Sequence, residues 1–565
     1  MEKIWLKNYE PGIDAEIDVQ RYQSILDVFE QSVEKFRDQI AFTSFGSGIS
    51  YGEMSERVKQ FASYLQNVLK LPRGERIAVM MPNVLQYPVA IFGALKAGMV
   101  VVNVNPLYTP RELAHQLNDS GANTIVVLEN FAHTLAEVLP HTDIKHVMLT
   151  SIGDMLGTVK GAVANFIARK IKKIVPPFHI ANTVSFKQAL QQGSRHTLQP
   201  VELNREDLAL LQYTGGTTGV AKGAMLTHGN ICANMMQAAE WIKPKLQAGK
   251  ETVVTVLPLY HIFSFTVNLM IFTQAGSKNI LIANPRDLTG MIKTLKKERV
   301  SVFIGVNTLY NGLLNKPELK EVDFSTWHLC LGGGMATQKA VAERWKALTG
   351  QAIVDAYGLT ETSPGVCCNP LNIQEYTGTI GFPLPSTEIE LRNADGSEVA
   401  QGEAGELWVR GPQVMKGYWN RPEETAKVLD ARGFLETGDI AVMDNEGRFK
   451  LVDRKKDLIV VSGFNVYPNE VEDVVVGHPK ASEAACIGVN SEKTGEALKL
   501  FVVRKDDSLT KEDLIAYCRT QLTAYKVPRD IEFREELPKS NVGKILRRVL
   551  RDEVEAKEKQ HGDKV

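Results

Sequence analysis

The chain has 6 cysteines in 565 residues, none in a CxxC pair and none near a histidine at metal-ligand spacing. That excludes a disulfide framework and a zinc ribbon. Cys232, Cys330, Cys367, Cys368, Cys486 and Cys518 read as scattered reduced thiols of a cytosolic protein. Charge of one sign is also missing: 65 Lys and Arg against 66 Asp and Glu give a net charge of -1, so no nucleic-acid partner is expected. Long uninterrupted apolar runs are absent. The stretch 77–104 is broken by Pro82, Pro88 and Lys96, and the stretch 253–276 by Pro258, His261, Asn268 and Gln274, so neither reads as a membrane span. The opening Met1–Lys7 is polar and mixed in charge and lacks the apolar core of a signal peptide. No internal repeat or low-complexity tract is present. What remains is 44% hydrophobic and 23% charged, an ordinary folded composition in a chain too long for one core, so at least two domains are expected.

Residues 1–205 alternate helical and strand patterns: helical spacing over 25–36 and 51–69, apolar strand runs at 39–43, 76–83, 100–105 and 124–128. A second such unit covers 206–380. This alternation predicts an α/β fold with parallel, doubly wound sheets. From 381 to 453 short alternating strands and Gly turns predict a small β subdomain, barrel-like in character. The charged run 453–457 reads as a linker, and 458–565 as a compact α+β tail with helices over 469–476 and 511–521 and strands over 483–489 and 500–504.

One stretch stands out: Tyr213-Thr214-Gly215-Gly216-Thr217-Thr218-Gly219-Val220-Ala221-Lys222-Gly223. An apolar strand precedes it, and a helix is expected from 231 to 241. Glycines let backbone N–H groups face an anion, and the Thr hydroxyls and Lys222 add donors and charge, which is the chemistry of a phosphate cradle. It is not a Walker loop, because no Gly-Lys-Ser/Thr stands at the required spacing. Two further strands empty into small-residue loops, Gly332-Gly333-Gly334-Met335-Ala336 and Gly358-Leu359-Thr360-Glu361. Ligands of open α/β sheets sit outside the carboxyl ends of strands, so the loops at 214, 332 and 358 are expected to line one cleft.

The 213–223 loop resembles the signature of the adenylate-forming enzymes. Four more stretches match that family in order: Tyr357-Gly358-Leu359-Thr360-Glu361, Thr437-Gly438-Asp439, Asp453-Arg454-Lys455-Lys456-Asp457 and Pro538-Lys539-Ser540-Asn541-Val542-Gly543-Lys544. The segments 434–439, 452–457 and 462–470, and the opening residues Trp5-Leu6, 21–24 and 29–32, are similar to bacterial long-chain fatty acyl-CoA ligases. The resemblance implies a large AMP-binding domain over 1–453, a hinge at 454–457 centred on Lys456, and a mobile C-terminal domain over 458–565. It implies two half-reactions: a fatty carboxylate attacks the α-phosphate of ATP to give acyl-AMP and pyrophosphate, and the thiol of coenzyme A then displaces AMP.

Site roles follow from the same resemblance. Thr214 and Gly215–Gly219, with Lys222, would hold pyrophosphate. Glu361 would bind Mg²⁺ together with phosphate oxygens, and Thr360 would touch the α-phosphate. Tyr357, Gly358 and Leu359, with Gly332–Ala336, would enclose adenine. Asp439 and Arg454 would take the ribose side, and Lys544 would bridge the carboxylate and the α-phosphate. The acyl pocket would lie near His261, with Phe265 as its gate and Met235 and Met236 as adaptable lining; a plain core role is the bland reading for most of these apolar residues. Gly463 and Phe464 would help form the coenzyme A channel.

The segment 157–176 carries apolar residues at helical spacing (Val159, Val163, Phe166, Ile167, Ile171, Ile174), with Arg169, Lys172 and Lys173 mostly opposite. Peripheral contact with an anionic membrane and simple packing on the domain with a solvated basic face both fit. Open at this stage are the oligomeric state (a dimer included), a medium-chain or aryl acid as the substrate, and, from another class, a fatty-acid-binding protein with an inactive nucleotide site.

Overall fold

A computed structural model describes residues 2–214, 221–461, 464–491, 494–540 and 543–562, with the side chains of 465 and 558–562 excepted. Among these the strands form four sheets. Two are large and mainly parallel, as the alternating pattern predicts. The seven-stranded sheet runs, edge to edge, through 184–185, 146–150, 124–128, 76–80, 100–103, 208–214 and 222–227. The nine-stranded sheet runs through 382–383, 365–368, 353–358, 329–332, 302–305, 252–255, 278–281, 40–44 and 47–50.

Helices over 25–36, 51–63, 86–96 and 228–242 fill the space around the sheets. Their sequences explain their limits. Ser24 and Asp27, Ser50 and Glu53, and Thr227 and Asn230 each form a reciprocal N-terminal cap that satisfies otherwise orphaned N–H groups. The apolar stripe of the first helix (Ile25, Leu26, Phe29, Val33, Phe36) is buried in the main core, with Phe29 stacked on Phe92 at 4.3 Å.

Three expectations change. The glycine-rich stretch does not pass from strand to helix. Lys222–Thr227 is a strand antiparallel to Leu208–Thr214, with Thr214 opposite Lys222, and the expected helix follows it, beginning at His228. The sheets also cut across a boundary near residue 205: 40–50 pair with the later strands, whereas 208–227 complete the earlier sheet. The β region is an open antiparallel sheet of 388–392, 405–410, 435–443 and 449–454 whose edge strands do not pair with each other, so it is not barrel-like.

The segment at 158–171 is helical, but turned opposite to a packed amphipathic helix. Gly161 faces the domain so closely that a Cβ there would lie 2.2 Å from the carbonyl oxygen of Gly153. Arg169 grips the buried Glu129 through Nε (3.0 Å) and a terminal nitrogen (2.6 Å), and also bonds Ser151. The apolar stripe points outward: Val159 is 78% exposed and Phe166 59%, and Val163, Ile171 and Ile174 are exposed with them. A helix packed through its apolar face is thereby excluded. Among the described residues no helix is long and apolar enough to cross a membrane.

The tail forms its own five-stranded sheet, with 530–534 parallel to 495–504, packed by helices 468–476, 511–521 and 547–562. Its core is separate from that of the large domain.

Candidate active site

The strands Leu329–Gly332 and Ile353–Gly358 are parallel neighbours, with Gly332 opposite Asp355. Their loops therefore leave the carboxyl edge of the nine-stranded sheet side by side, which brings Gly332–Ala336 next to Gly358–Glu361. The Phe263 ring sits against Gly333. Beside Gly332, within the strand Ile353–Gly358, lies Asp355, which the sequence pattern did not single out: burial raises its carboxyl to about 7, held back by a hydrogen bond from the Thr337 hydroxyl. A lone Asp in the apolar run Ile353-Val354-Asp355-Ala356 was the available signal.

Asp439 stands opposite Arg454 in the antiparallel pair 435–443 and 449–454. Its carboxylate, in a residue 4% exposed, accepts the Tyr357 hydroxyl at 2.6 Å and lies 3.2 Å from Arg454 Nε. Asp439 in turn raises the Arg454 guanidinium further above its ordinary value. Burial, then the charge of Asp439, push the Tyr357 phenol well above the ordinary range, so it remains a donor. Tyr357, Asp439 and Arg454 are thus one cluster, although they are far apart in sequence.

Lys544, from the C-terminal domain, lies within electrostatic range of this cluster. A tight turn presents it: the N–H of Ser540 donates to the Lys544 carbonyl at 2.7 Å, and the Lys544 N–H donates to Ser540 Oγ at 3.1 Å. Gly543, at φ +81°, docks against the large domain so closely that a Cβ would lie 2.3 Å from Thr308 Oγ1. Burial pushes the Lys544 ammonium down to about 8; Arg454 adds to the push and Asp439 opposes it. His261 feels the same charge: burial first, then Lys544, push it down to about 4, so it is a neutral imidazole at neutral pH. The charge of Lys544 is therefore felt at His261, as those of Asp439 and Arg454 are felt at Lys544.

A second cluster surrounds Glu361. Its Oε1 accepts the Tyr418 hydroxyl at 2.7 Å, and its carbonyl accepts the Met415 N–H at 2.8 Å. Lys222 lies 5.1 Å over the Tyr418 ring and pairs with Glu424, which it holds down at about 2. Tyr418 is placed by an antiparallel bridge to Ala224. Tyr418 and Glu424 were missed; an aromatic pair after Gly417 was the only hint. Gly215–Gly219, and with them most of the proposed phosphate cradle, lie outside the described residues, as does Gly463.

On the acyl side, His261 caps the following helical segment by accepting the Phe263 N–H at 3.3 Å. Phe265, Leu269, Met270, Phe272, Met235 and Met236 are buried members of the main core. Phe464 lies elsewhere, exposed and stacked on Tyr525 at 4.9 Å within the C-terminal domain. Lys456 follows the 357/439/454 cluster in the chain, and burial with the nearby Arg454 charge pushes it down to about 8.

Among the described residues Tyr418 is the only donor to the Glu361 carboxylate, and no group of three metal-ligating side chains is present. One carboxylate with its second oxygen free of described partners fits Mg²⁺, which takes one or two protein carboxylates and completes its shell with phosphate and water.

Residues 29–419 match the family described as AMP-binding enzyme, and residues 470–544 its C-terminal domain. The chain is 56% identical to a long-chain-fatty-acid–CoA ligase of Escherichia coli O157:H7 over 99% of both chains. It is 53% identical to one of Haemophilus influenzae over 99% of this chain and 100% of the relative. Among solved structures, an anthranilate CoA ligase in complex with anthranoyl-AMP superposes with a TM-score of 0.85 at 23% identity, covering 96% of this chain and 99% of that one. That likeness concerns the fold, and the sequence matches concern descent: the chain belongs to the AMP-binding, adenylate-forming enzyme family.

Proposed function

We propose that this chain is a long-chain-fatty-acid–CoA ligase that forms acyl-CoA through acyl-AMP, with ATP and coenzyme A as co-substrates. The observation that carries the reading is the docking of the turn before Lys544, from a separate domain, against Thr308 of the large domain, with the charge of Lys544 within electrostatic range of the Tyr357–Asp439–Arg454 cluster and His261. A carboxylate oxygen attacks the α-phosphorus and pyrophosphate leaves; the coenzyme A thiolate then attacks the acyl carbonyl and AMP leaves. The first step sets an anion against a polyanion, so a cation held between them is what it needs.

In this reading Lys544 bridges carboxylate and α-phosphate, and Thr360 donates to the same phosphate. Asp439 and Arg454 hold the ribose, while Tyr357 and Gly332–Ala336 enclose adenine. Thr214, Gly215–Gly219 and Lys222 receive pyrophosphate. Glu361 would hold Mg²⁺, whose positive charge would offset the negative charge of the leaving pyrophosphate. Lys222 would exchange Glu424 for phosphate when ATP binds. Domain boundaries at 453 and 458, a pivot at Lys456, a gate at Phe265 and a coenzyme A channel at Gly463 and Phe464 belong to the same proposal.

ATP-dependent AMP release across a graded series of acids tests the reading. Palmitate and oleate are expected to give the highest kcat/KM. Preference for short or aryl acids would replace the substrate class, and no AMP with ATP, Mg²⁺, fatty acid and coenzyme A would replace the enzyme by a binding protein.

The cytoplasmic face of an anionic membrane is the proposed location. The exposed stripe Val159, Val163, Phe166, Ile171 and Ile174 supports it, with Lys160, Lys170, Lys172 and Lys173 exposed around it. The stretch from Asp154 to Glu202 contains no other acidic residue. The hairpin tip bearing the exposed Phe45 lies alongside, since Gly46 meets Lys160 Nζ. Apolar side chains ringed by lysines suit a headgroup surface. Phe166→Ser with Ile171→Ser is expected to lower co-sedimentation with anionic vesicles several-fold; unchanged binding would reject this surface. Arg169 is not part of the test, because it holds the helix to Glu129.

A further inference from the structure

Asp453 sits at the end of the strand Phe449–Arg454, where its backbone pairs with Ile440 in the four-stranded sheet, on the N-terminal side of Lys456. Its side chain turns to the other domain, while Oδ1 also accepts the N–H of Arg454 at 2.7 Å. Oδ2 accepts the N–H of Asn469, in the first turn of the helix Pro468–Val476, at 2.9 Å. Oδ1 lies 3.5 Å from a terminal nitrogen of Arg547, and the carboxylate is fully buried at 0% exposure. Arg547 opens the last helix three residues after Lys544. It also holds Glu472 through two bonds (2.9 and 2.6 Å), Asp457 at 3.2 Å, and Asn469. Arg551 pairs with Asp457 beside it. All of these partners except Asp453 follow Lys456 in the chain.

We propose that Asp453 is a positioning residue for acyl-AMP formation: a carboxylate from the N-terminal side of the hinge that grips Asn469 and Arg547, and through Arg547 seats Lys544 at the nucleotide. The proposal rests on the ligase reading above, in which the C-terminal domain turns about Lys456 between the half-reactions. A turn there moves Asn469 and Arg547 together, because Glu472 and Asp457 travel with them. Asp453 stays with its strand and has to release both. The contact is thus specific to the arrangement in which Lys544 is docked, and it has no part in the second half-reaction. A buried carboxylate that keeps only the Arg454 N–H and loses an arginine and the Asn469 N–H is costly to strip in this way, which makes it a sharper latch than an exposed ion pair.

The test separates the half-reactions in the full-length enzyme. Acyl-AMP formation is followed as pyrophosphate release from ATP and palmitate without coenzyme A. Thioester formation is followed from supplied palmitoyl-AMP and coenzyme A. Asp453→Asn keeps the shape but turns an amide toward Arg547. It is expected to slow the first half about 10-fold or more and the second less than twofold, and to speed hydrogen exchange at the Asn469 amide. Arg547→Lys keeps a charge near Glu472 and Asp457 but loses the reach to Asp453, and is expected to show the same asymmetry. Equal losses in both halves, or no loss in either, would overturn the proposal; if Asp453→Asn does not fold, Arg547→Lys decides by the same criterion. Wild-type protein that makes no palmitoyl-AMP would instead overturn the ligase reading itself.

Discussion

The sharpest consequence of the site concerns the titration of Lys544. Its ammonium is buried and feels the charge of Arg454, so its acid form is held to about 8 instead of the usual lysine range. A lowered lysine value means that the charged form is complete below about pH 7 and is lost as pH rises through 8. If the charge is what acyl-AMP formation uses, kcat/KM for ATP in that half-reaction reports the free enzyme and follows the fraction protonated. That fraction is about one half at pH 8 and about one tenth at pH 9, so a roughly 10-fold fall is expected between pH 7 and pH 9. Thioester formation from supplied acyl-AMP should lack this alkaline limb. Lys456 is also lowered to about 8, so a control is needed. Lys544→Arg carries a charge that does not titrate below pH 12, so a reduced but flat profile is expected. Pyrophosphate release against pH, for wild type and Lys544→Arg, is the assay. A limb that survives in Lys544→Arg, or appears equally in both half-reactions, would refute the assignment.

Three further expectations follow from the clusters. Asp439→Ala removes the acceptor of both Tyr357 and Arg454, which should cost about 2–3 kcal/mol of stability and raise KM for ATP strongly, read by thermal unfolding and steady-state kinetics. Tyr418→Phe removes the 2.7 Å bond to Glu361 without changing shape, so the Mg²⁺ concentration for half-maximal activity should shift several-fold while the melting temperature stays near wild type. Gly543→Ala places a methyl 2.3 Å from Thr308 Oγ1 in a backbone conformation that disfavours a Cβ; it should impair acyl-AMP formation far more than thioester formation, measured as separate half-reactions.

Much of the architecture was legible because local patterns and tertiary packing agree. The helix over 25–36 has an apolar stripe at helical spacing and a Ser/Asp cap, and both features act within a few residues. The strand runs at 76–80, 100–103 and 124–128 are apolar but for Arg76, Asn103 and Thr124 at their ends, as parallel strands buried on both faces must be. The Lys222–Thr227 strand was not legible: Lys222-Gly223-Ala224-Met225-Leu226-Thr227 has no strong alternation, and only pairing with 208–214 makes it a strand. The helix at 158–171 shows the opposite failure. Its period is plain, but which side meets the domain is decided by Gly153 against Gly161 and by Glu129 under Arg169.

The sequence by itself determined most of the elements, the order of the five signature stretches, and through them the family and the residue types its chemistry uses. Those properties depend on local spacing and residue identity, which survive without coordinates. Only the tertiary structure decided which side chains meet: Asp439 with Tyr357 and Arg454, Tyr418 with Glu361, and Asp453 with Asn469 and Arg547 across the hinge. Such contacts depend on strand register and domain docking between residues up to hundreds of positions apart. Side-chain burial, and with it the lowered acidity range of Lys544 and the raised one of Asp355, exists only once those surfaces have closed on each other.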